Sequence, residues 1–324
     1  MKKLMAILFL VSSLAMADEP IKLRIGWQVP WALQGQLVQV LKHTDILKKN
    51  GIEAEFVGRN FGPELNELAM GSQIDVVLTA DQPAAQLFSK DKGWVGISRM
   101  MYNRTSTYVP VKSPIKDLKE LKGKTVGVPF GAAAERIVVD GLTQAGLNAR
   151  EDVKFINLGI QEHIPLVLKS GAESLMWDQF DALSGFDPVP AILKSRGLVR
   201  EIHVGKVCSM ILMNKEFLAK NPKAAVAMIT SFRDAYAYYN KNRAQVDKWF
   251  MEEAKFDLKD SGALTIASSL EPNLNAKKNA DIRMQFNEDD FLIMQKGADF
   301  IKKNINKDIN MKDFVNNDYA KLVK

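Results

Sequence analysis

Strand-like and helix-like segments alternate along this chain from residue 21 onward, and that alternation leaves few folds open to it. Residues 21–25 switch between apolar and polar side chains and stop at Gly26, as a half-buried strand does. A helical stretch over 31–49 follows, closed by Asn50-Gly51. Residues 52–57 predict a second strand. Over 64–70, Leu65, Leu68 and Ala69 share a helical face, and 74–78 is a short apolar run suited to a buried strand. Strand, helix, strand, helix, strand is the grammar of a parallel sheet wrapped by helices, because parallel neighbours need a crossover long enough to hold a helix.

The grammar starts again after the polar break Lys112-Ser113-Pro114. Residues 118–123 lead into a strand over 124–128, then a helix on which Ile137, Val138, Gly141, Leu142 and Ala145 share a face and which stops at Gly146. Strands over 153–158 and 179–183 flank a helix over 163–169. From Asn214 the pattern turns helical: Asn221-Pro222 has the form of a cap and a first-turn proline, Ala225 to Tyr239 keep helical spacing, and further helices are predicted over 244–254 and 288–305. A helical tail with too few strands for a third sheet packs most simply on the first unit. The middle unit is then an insertion joined by two crossings, near 105–114 and 203–214. This predicts an α/β protein of two lobes, each a mixed, mostly parallel sheet flanked by helices, with a two-segment hinge. Lobe 1 would comprise 18–110 and 208–324, and lobe 2 would comprise 111–207.

Residues 1–17 place the protein. Lys2 and Lys3, the apolar run 4–14 and Ala15-Met16-Ala17 are the three parts of a cleaved export signal. The run is short for a membrane span, and no cysteine stands at the cut to carry a lipid. A soluble periplasmic protein is expected, working without ATP or reduced nicotinamide. With 47% hydrophobic and 25% charged residues the chain is an ordinary folded globule, not a disordered one. Its net charge of +6 is spread among acids with no basic stripe, so no nucleic-acid partner is expected. Cys208 is the one cysteine and has no internal disulfide partner; in its apolar run it reads as a small buried hydrophobe.

Enzymatic signatures are missing from the sequence: there is no H-E-x-x-H, G-x-S-x-G or C-x-x-C. Gly123-Lys124-Thr125 imitates the end of a phosphate loop, but Leu118 stands where its first glycine belongs. His43, His163 and His203 lack metal-ligand spacing. Neither a metal nor a cofactor is expected.

Ligands of parallel α/β sheets bind beyond the carboxyl ends of the strands. Four such ends stand out: Gly26-Trp27-Gln28-Val29-Pro30-Trp31, Thr79-Ala80-Asp81-Gln82-Pro83, Pro129-Phe130-Gly131-Ala132-Ala133-Ala134-Glu135 and Ser184-Gly185-Phe186-Asp187-Pro188. Trp27 and Trp31 offer indole faces for stacking, or plug the first lobe. Gln28, Thr79, Asp81 and Gln82 offer hydrogen bonds from the first lobe; Gly131, Ala132, Ala133, Glu135 and Asp187 offer contacts from the second. Asp81 and Asp187 also suit turns or caps, and Gly131 a tight turn. Asn103-Arg104, between the lobes, reads as solvated.

These segments carry a resemblance. Gly71-Ser72-Gln73-Ile74-Asp75 with Asp81-Gln82-Pro83, then Leu118 to Gly123 with Gly127-Val128, then Gly131-Ala132-Ala133, then Phe180-Asp181-Ala182 with Phe186-Asp187-Pro188, resemble the substrate-binding proteins of ABC importers for alkanesulfonates, taurine, nitrate and thiamine-pyrimidine precursors. The resemblance covers the mature chain to about residue 240. It implies a type II periplasmic binding protein, monomeric, that captures a small-molecule solute between its lobes and delivers it to an inner-membrane permease. Relatives for oxyanions often carry a hydroxyl residue after the middle-lobe glycine, where this chain has Ala132-Ala133-Ala134. With Asp81, Glu135 and Asp187 nearby, an amine or a ring held by Trp27 or Trp31 is expected over a simple inorganic anion. Two rivals are an enzyme on the same fold, which would be cytoplasmic, and a ligand-bound partner of a membrane sensor.

Overall fold

The computed structural model describes residues 19–323. The export signal expected at 1–17 lies outside the described residues. Eight strands form one sheet in the order β2-β1-β3-β8-β4-β7-β5-β6. They are β1 (Ile21–Gln28), β2 (Ile52–Arg59), β3 (Val76–Ala80), β4 (Trp94–Pro110), β5 (Thr125–Val128), β6 (Lys154–Asn157), β7 (Ala182–Phe186) and β8 (Val199–Asn214). At one end β1 pairs parallel with β2 and β3; at the other β5 pairs parallel with β6 and β7. The architecture is the mixed α/β sheet that the alternation predicts.

The expected crossings are strands, not loops. β4 and β8 pair antiparallel from Trp94↔Asn214 to Pro110↔Val199. β3 joins this ribbon along Val76 to Ala80, and β7 joins it along Thr105 to Tyr108, so both halves of the sheet share it. The sequence hides β4 because all of its residues are buried, which removes the alternation of a half-exposed strand. Polar Arg99, Asn103 and Arg104 lie inside it. Asn103 and Arg104 are therefore not solvated: they are 1% and 7% exposed.

Boundaries moved for local reasons. β1 runs on through Gly26 to Gln28, since Gly26 serves close packing instead of a turn: a Cβ there would lie 2.5 Å from Ile74 Cδ1. The single helix expected over 31–49 is α1 (Gln34–His43) followed by a short turn of helix at Ile46–Lys49. Thr44 ends α1 by donating its N–H and its hydroxyl to the Val40 carbonyl. Ser184 to Phe186, expected beyond a strand, belong to β7. The remaining helices that matter are α2 (Gly62–Met70), α3 (Asp81–Lys90), α4 (Ala133–Gln144), α5 (Ile160–Ser170), α6 (Val189–Ser195), α7 (Ala224–Lys241), α8 (Arg243–Glu253) and α9 (Glu288–Ile305). Helix α7 starts two residues beyond Pro222, because Asn221 caps the end of the preceding helix. Helix α9 has the expected bounds: Asn287 and Asp290 exchange side-chain and backbone hydrogen bonds in a capping box.

The helical tail packs on both halves: α7 and α9 lie against the β1–β3 half as expected, but Ala263, Leu264 and Ala267 pack with Ala191 and Ile192 of α6, and Asp260 pairs with Arg196. The Tyr236 hydroxyl of α7 donates to the Met100 carbonyl at 2.9 Å. Buried Arg99 on β4 pairs with Glu271 and lies 3.5 Å from Asp290 on α9, with its guanidinium 4.3 Å from the Tyr102 ring. Two charges buried without each other would each carry a desolvation penalty of several kcal/mol, so the tail segment and the ribbon hold one another in place. Cys208 is free and fully buried, as expected. No helix among the described residues is long and apolar enough to cross a membrane.

Candidate functional site

A short segment after β1 brings the first candidate inward. Leu33 adopts φ 66° and ψ −45°, a tight left-handed turn that a leucine rarely adopts, and the Gln36 side chain accepts its N–H at 2.5 Å. The neighbouring Ala32 donates its N–H to the Asp187 carbonyl at 3.1 Å and accepts from Asn103 Nδ2 at 3.1 Å. Trp31 is thereby pressed edge-on against Phe186, with ring centroids 5.8 Å apart.

From the opposite half comes the start of α4. Gly131 has φ 79°, and its N–H is accepted by Glu135 Oε2 at 2.8 Å. Ala132, whose N–H is donated to the Pro129 carbonyl, then caps a twelve-residue helix that Ala133 and Ala134 begin, in a first turn whose backbone N–H groups lack intrahelical partners.

Between these segments lies a closed chamber lined by Gln28, Trp31, Gly62, Ala80, Pro83, Thr105, Ala132, Ala133, Ala134 and Phe186. Its open volume is about 10 Å³, the space of one water, so entry of a solute requires the walls to part. Two of its lining residues present buried polar atoms without a hydrogen-bond partner, Trp31 Nε1 and Thr105 Oγ1. Thr79 Oγ1 and both amide atoms of Gln82, next in sequence to Ala80 and Pro83, are buried and unpartnered as well. Most buried polar atoms are paired, so Trp31 Nε1 and Thr105 Oγ1 in the chamber wall are open to a polar guest.

The candidate carboxylates are engaged elsewhere. Asp81 is fully buried; its two oxygens each lie 2.9 Å from Arg136, and it accepts the Cys208 N–H at 3.2 Å. Burial raises its pKa while Arg136 opposes the rise. Asp187 accepts from Arg104 at 2.8 Å and from the Ala191 N–H at 2.9 Å; burial pushes its pKa up to about 6 against the pull of Arg104. Arg104 also donates to Glu201 at 2.8 Å. Glu135 caps the Gly131 turn. The negative charge expected in the cleft is thus neutralised or turned aside, and with it goes the case for an amine ligand.

Of the sequence candidates, Gln28, Trp31, Ala132 and Ala133 meet around the chamber, and Thr79 and Gln82 flank it. Trp27 does not line it: the indole is buried in the core, beside Gly58 and with Lys42 Nζ 5.5 Å from the ring centroid. Gly131 stands outside too, its Cβ position 3.1 Å from Pro63 and its carbonyl accepting from Gln86 at 3.4 Å.

Sequence reasoning missed the larger space. A groove of about 600 Å³ is lined by Val29, Pro30, Gly58, Arg59, Asn60, Glu64, Ile160, Gln161, Ile164, Pro165, Val189, Glu253, Ala254, Lys255 and Phe256. Its walls include the ends of β2 and the segment after β6, two strand ends to which the rule applied to the other four applies equally.

His163 and Cys208 line neither space. The Tyr108 hydroxyl lies 2.6 Å from His163 Nδ1, and burial lowers the pKa of His163 to about 4. Burial raises that of the Cys208 thiol well above its ordinary value. No group of three or more metal-ligating side chains occurs among the described residues.

Comparison with known proteins bears on the family and the fold. A family model described as NMT1/THI5 like matches residues 47–245. A curated protein of Escherichia coli (strain K12), provisionally named an aliphatic sulfonates-binding protein, is 28% identical over 255 residues, covering 75% of this chain and 76% of that one. The alkanesulfonate-binding protein SsuA from Xanthomonas axonopodis pv. citri, solved bound to MOPS, superimposes with a TM-score of 0.73 at 18% identity, over 92% of this chain and 99% of that one. The periplasmic aliphatic sulphonate binding protein SsuA from Escherichia coli gives 0.74 at 19% identity, over 91% and 97%. The fold is that of the two-lobed periplasmic binding proteins.

Proposed function

Because this chain belongs to the NMT1/THI5-like family, we propose that it is an extracytoplasmic solute-binding protein of an ABC importer, which captures a small organic anion and delivers it to a membrane permease. The observation that carries this reading is the set of unpartnered polar atoms at the chamber, with the indole N–H of Trp31 and the first turn of α4 at its centre. A helix N-terminus and neutral donors suit an oxygen-rich head group such as a sulfonate. Asp81 and Asp187 serve the protein, each held by its arginine.

In this reading lobe 1 is 18–110 with 208–324 and lobe 2 is 111–207, the second division falling inside β8. The head group touches Gln28 and Trp31 from one lobe and Ala133 from the other. Contacts made to both at once favour the closed arrangement, since only differential affinity shifts the two populations. No bond is made or broken, in keeping with His163 and Cys208 lining neither space. Isothermal calorimetry and tryptophan fluorescence against a panel of sulfonates, carboxylates and amines provide the test. Saturable binding of acids is expected; binding confined to amines, or none at all, overturns the reading.

A further inference from the structure

The chamber holds a head group only once its walls part, yet it lies beside a groove of about 600 Å³, within the usual size of organic ligand sites. The same chain segments run from one to the other. Gln28 lines the chamber and Val29 the groove; Gly62 lines the chamber between Asn60 and Glu64 of the groove; Phe186 is followed by Val189. Val29, Pro30, Ile160, Ile164, Val189 and Phe256 give the groove an apolar wall.

Its rim is not balanced in charge. Glu64 accepts the Asn60 N–H at 2.8 Å and Glu253 pairs with Lys42 at 2.9 Å, so both acids are engaged. Arg59 donates to the adjacent Gly58 carbonyl at 2.7 Å, and neither it nor Lys255 has a carboxylate partner among the described residues. An apolar slot with two such cations in its lining fits one kind of guest.

We propose that the solute is a bifunctional organic anion, with its acceptor head group in the chamber, an apolar or aromatic body in the groove and a second negative group beside Arg59 and Lys255. The inference rests on the chamber being the head-group site. It assigns the groove a role in choosing among solutes, and it assigns Arg59 and Lys255 a preference for dianions over monoanions of the same size.

Calorimetry on the mature protein at low ionic strength tests this with methanesulfonate, benzenesulfonate and 4-sulfobenzoate. Burying an aromatic body makes benzenesulfonate at least about tenfold tighter than methanesulfonate. The added carboxylate strengthens binding by a further factor of about three, small because the rim is open to solvent and salt. That last gain disappears in Arg59→Gln/Lys255→Gln, which binds benzenesulfonate and 4-sulfobenzoate equally tightly; both side chains are exposed, so the fold is not at risk. Ile164→Asp weakens benzenesulfonate and leaves methanesulfonate alone. Equal affinity for methanesulfonate and benzenesulfonate, no gain from the carboxylate, or a gain that survives the double substitution overturns the inference while the head-group reading stands. Failure of all three probes to bind overturns both.

Discussion

One nitrogen of the Arg136 guanidinium lies 2.9 Å from each carboxylate oxygen of Asp81, joining α4 to the first residue of α3 between the two halves of the sheet. Both side chains are essentially inaccessible to water. Removing one partner leaves a buried charge uncompensated, so Asp81→Asn and Arg136→Gln should each lose about 3–5 kcal/mol in urea denaturation. The double replacement Asp81→Leu/Arg136→Met should lose much less than the two single losses combined, because no lone charge remains. Additive losses would show that the pair does not act as a unit.

Trp31 has an indole N–H with no partner, and Thr105 a hydroxyl in the same condition. Thr105→Val keeps the shape and deletes the polar atom, whereas Trp31→Phe deletes the N–H together with part of a buried ring. Each should weaken solute binding by about 10- to 100-fold, as expected for a hydrogen bond to a charged group. Thr105→Val should not lower the melting temperature of the ligand-free protein, since an unsatisfied polar atom is being removed, while Trp31→Phe should lower it by the cavity it leaves. Calorimetry beside a thermal melt separates the two effects.

His163 titrates at about 4 in the folded protein, below its ordinary 6.5, because burial opposes its charged form. The unfolded chain therefore binds the proton more tightly, and the contribution to stability is complete above about pH 6.5 and lost as the pH falls toward 4. The wild type should lose about 3 kcal/mol from this group over that window. His163→Gln, which can still meet the Tyr108 hydroxyl, should show a flatter profile in denaturation at a series of pH values.

Asp187 has the opposite sign. Its pKa is raised to about 6, chiefly by burial, so the folded state binds this proton more tightly than the unfolded chain. Its contribution is complete below the ordinary value of 3.8 and lost as the pH rises through 6. The stability of the wild type relative to Asp187→Asn should fall between about pH 4 and 6, by at most about 3 kcal/mol. A difference that grows with pH would refute the assignment.

The order of strands and helices was legible because each half-buried element shows its period, and α9 was read with its bounds because its cap is written in Asn287 and Asp290. The ribbon strands were not: a strand covered on both faces has no alternation, and the polar residues within β4 are satisfied by distant partners such as Glu271 and Asp187. At the site, Gln28, Trp31, Ala132 and Ala133 follow from the strand-end rule. The neutralisation of Asp81 and Asp187 does not, since Arg136 and Arg104 lie 55 and 83 residues away in sequence. Trp27 misled because β1 extends past Gly26, placing that indole on a strand among core residues instead of in a loop.

The ribbon of β4 and β8 is hydrogen bonded along its length, with register breaks between Gly96 and Ser98, Arg99 and Met101, and Thr107 and Tyr108. Such breaks add local twist and bend to paired strands. A jaw mounted on a strip of this kind has no loose pivot: it can gape only by torsion of the strip, concentrated at those three points. Twist in those paired strands, and not a swing about a loop, is what would change the angle between the halves they join.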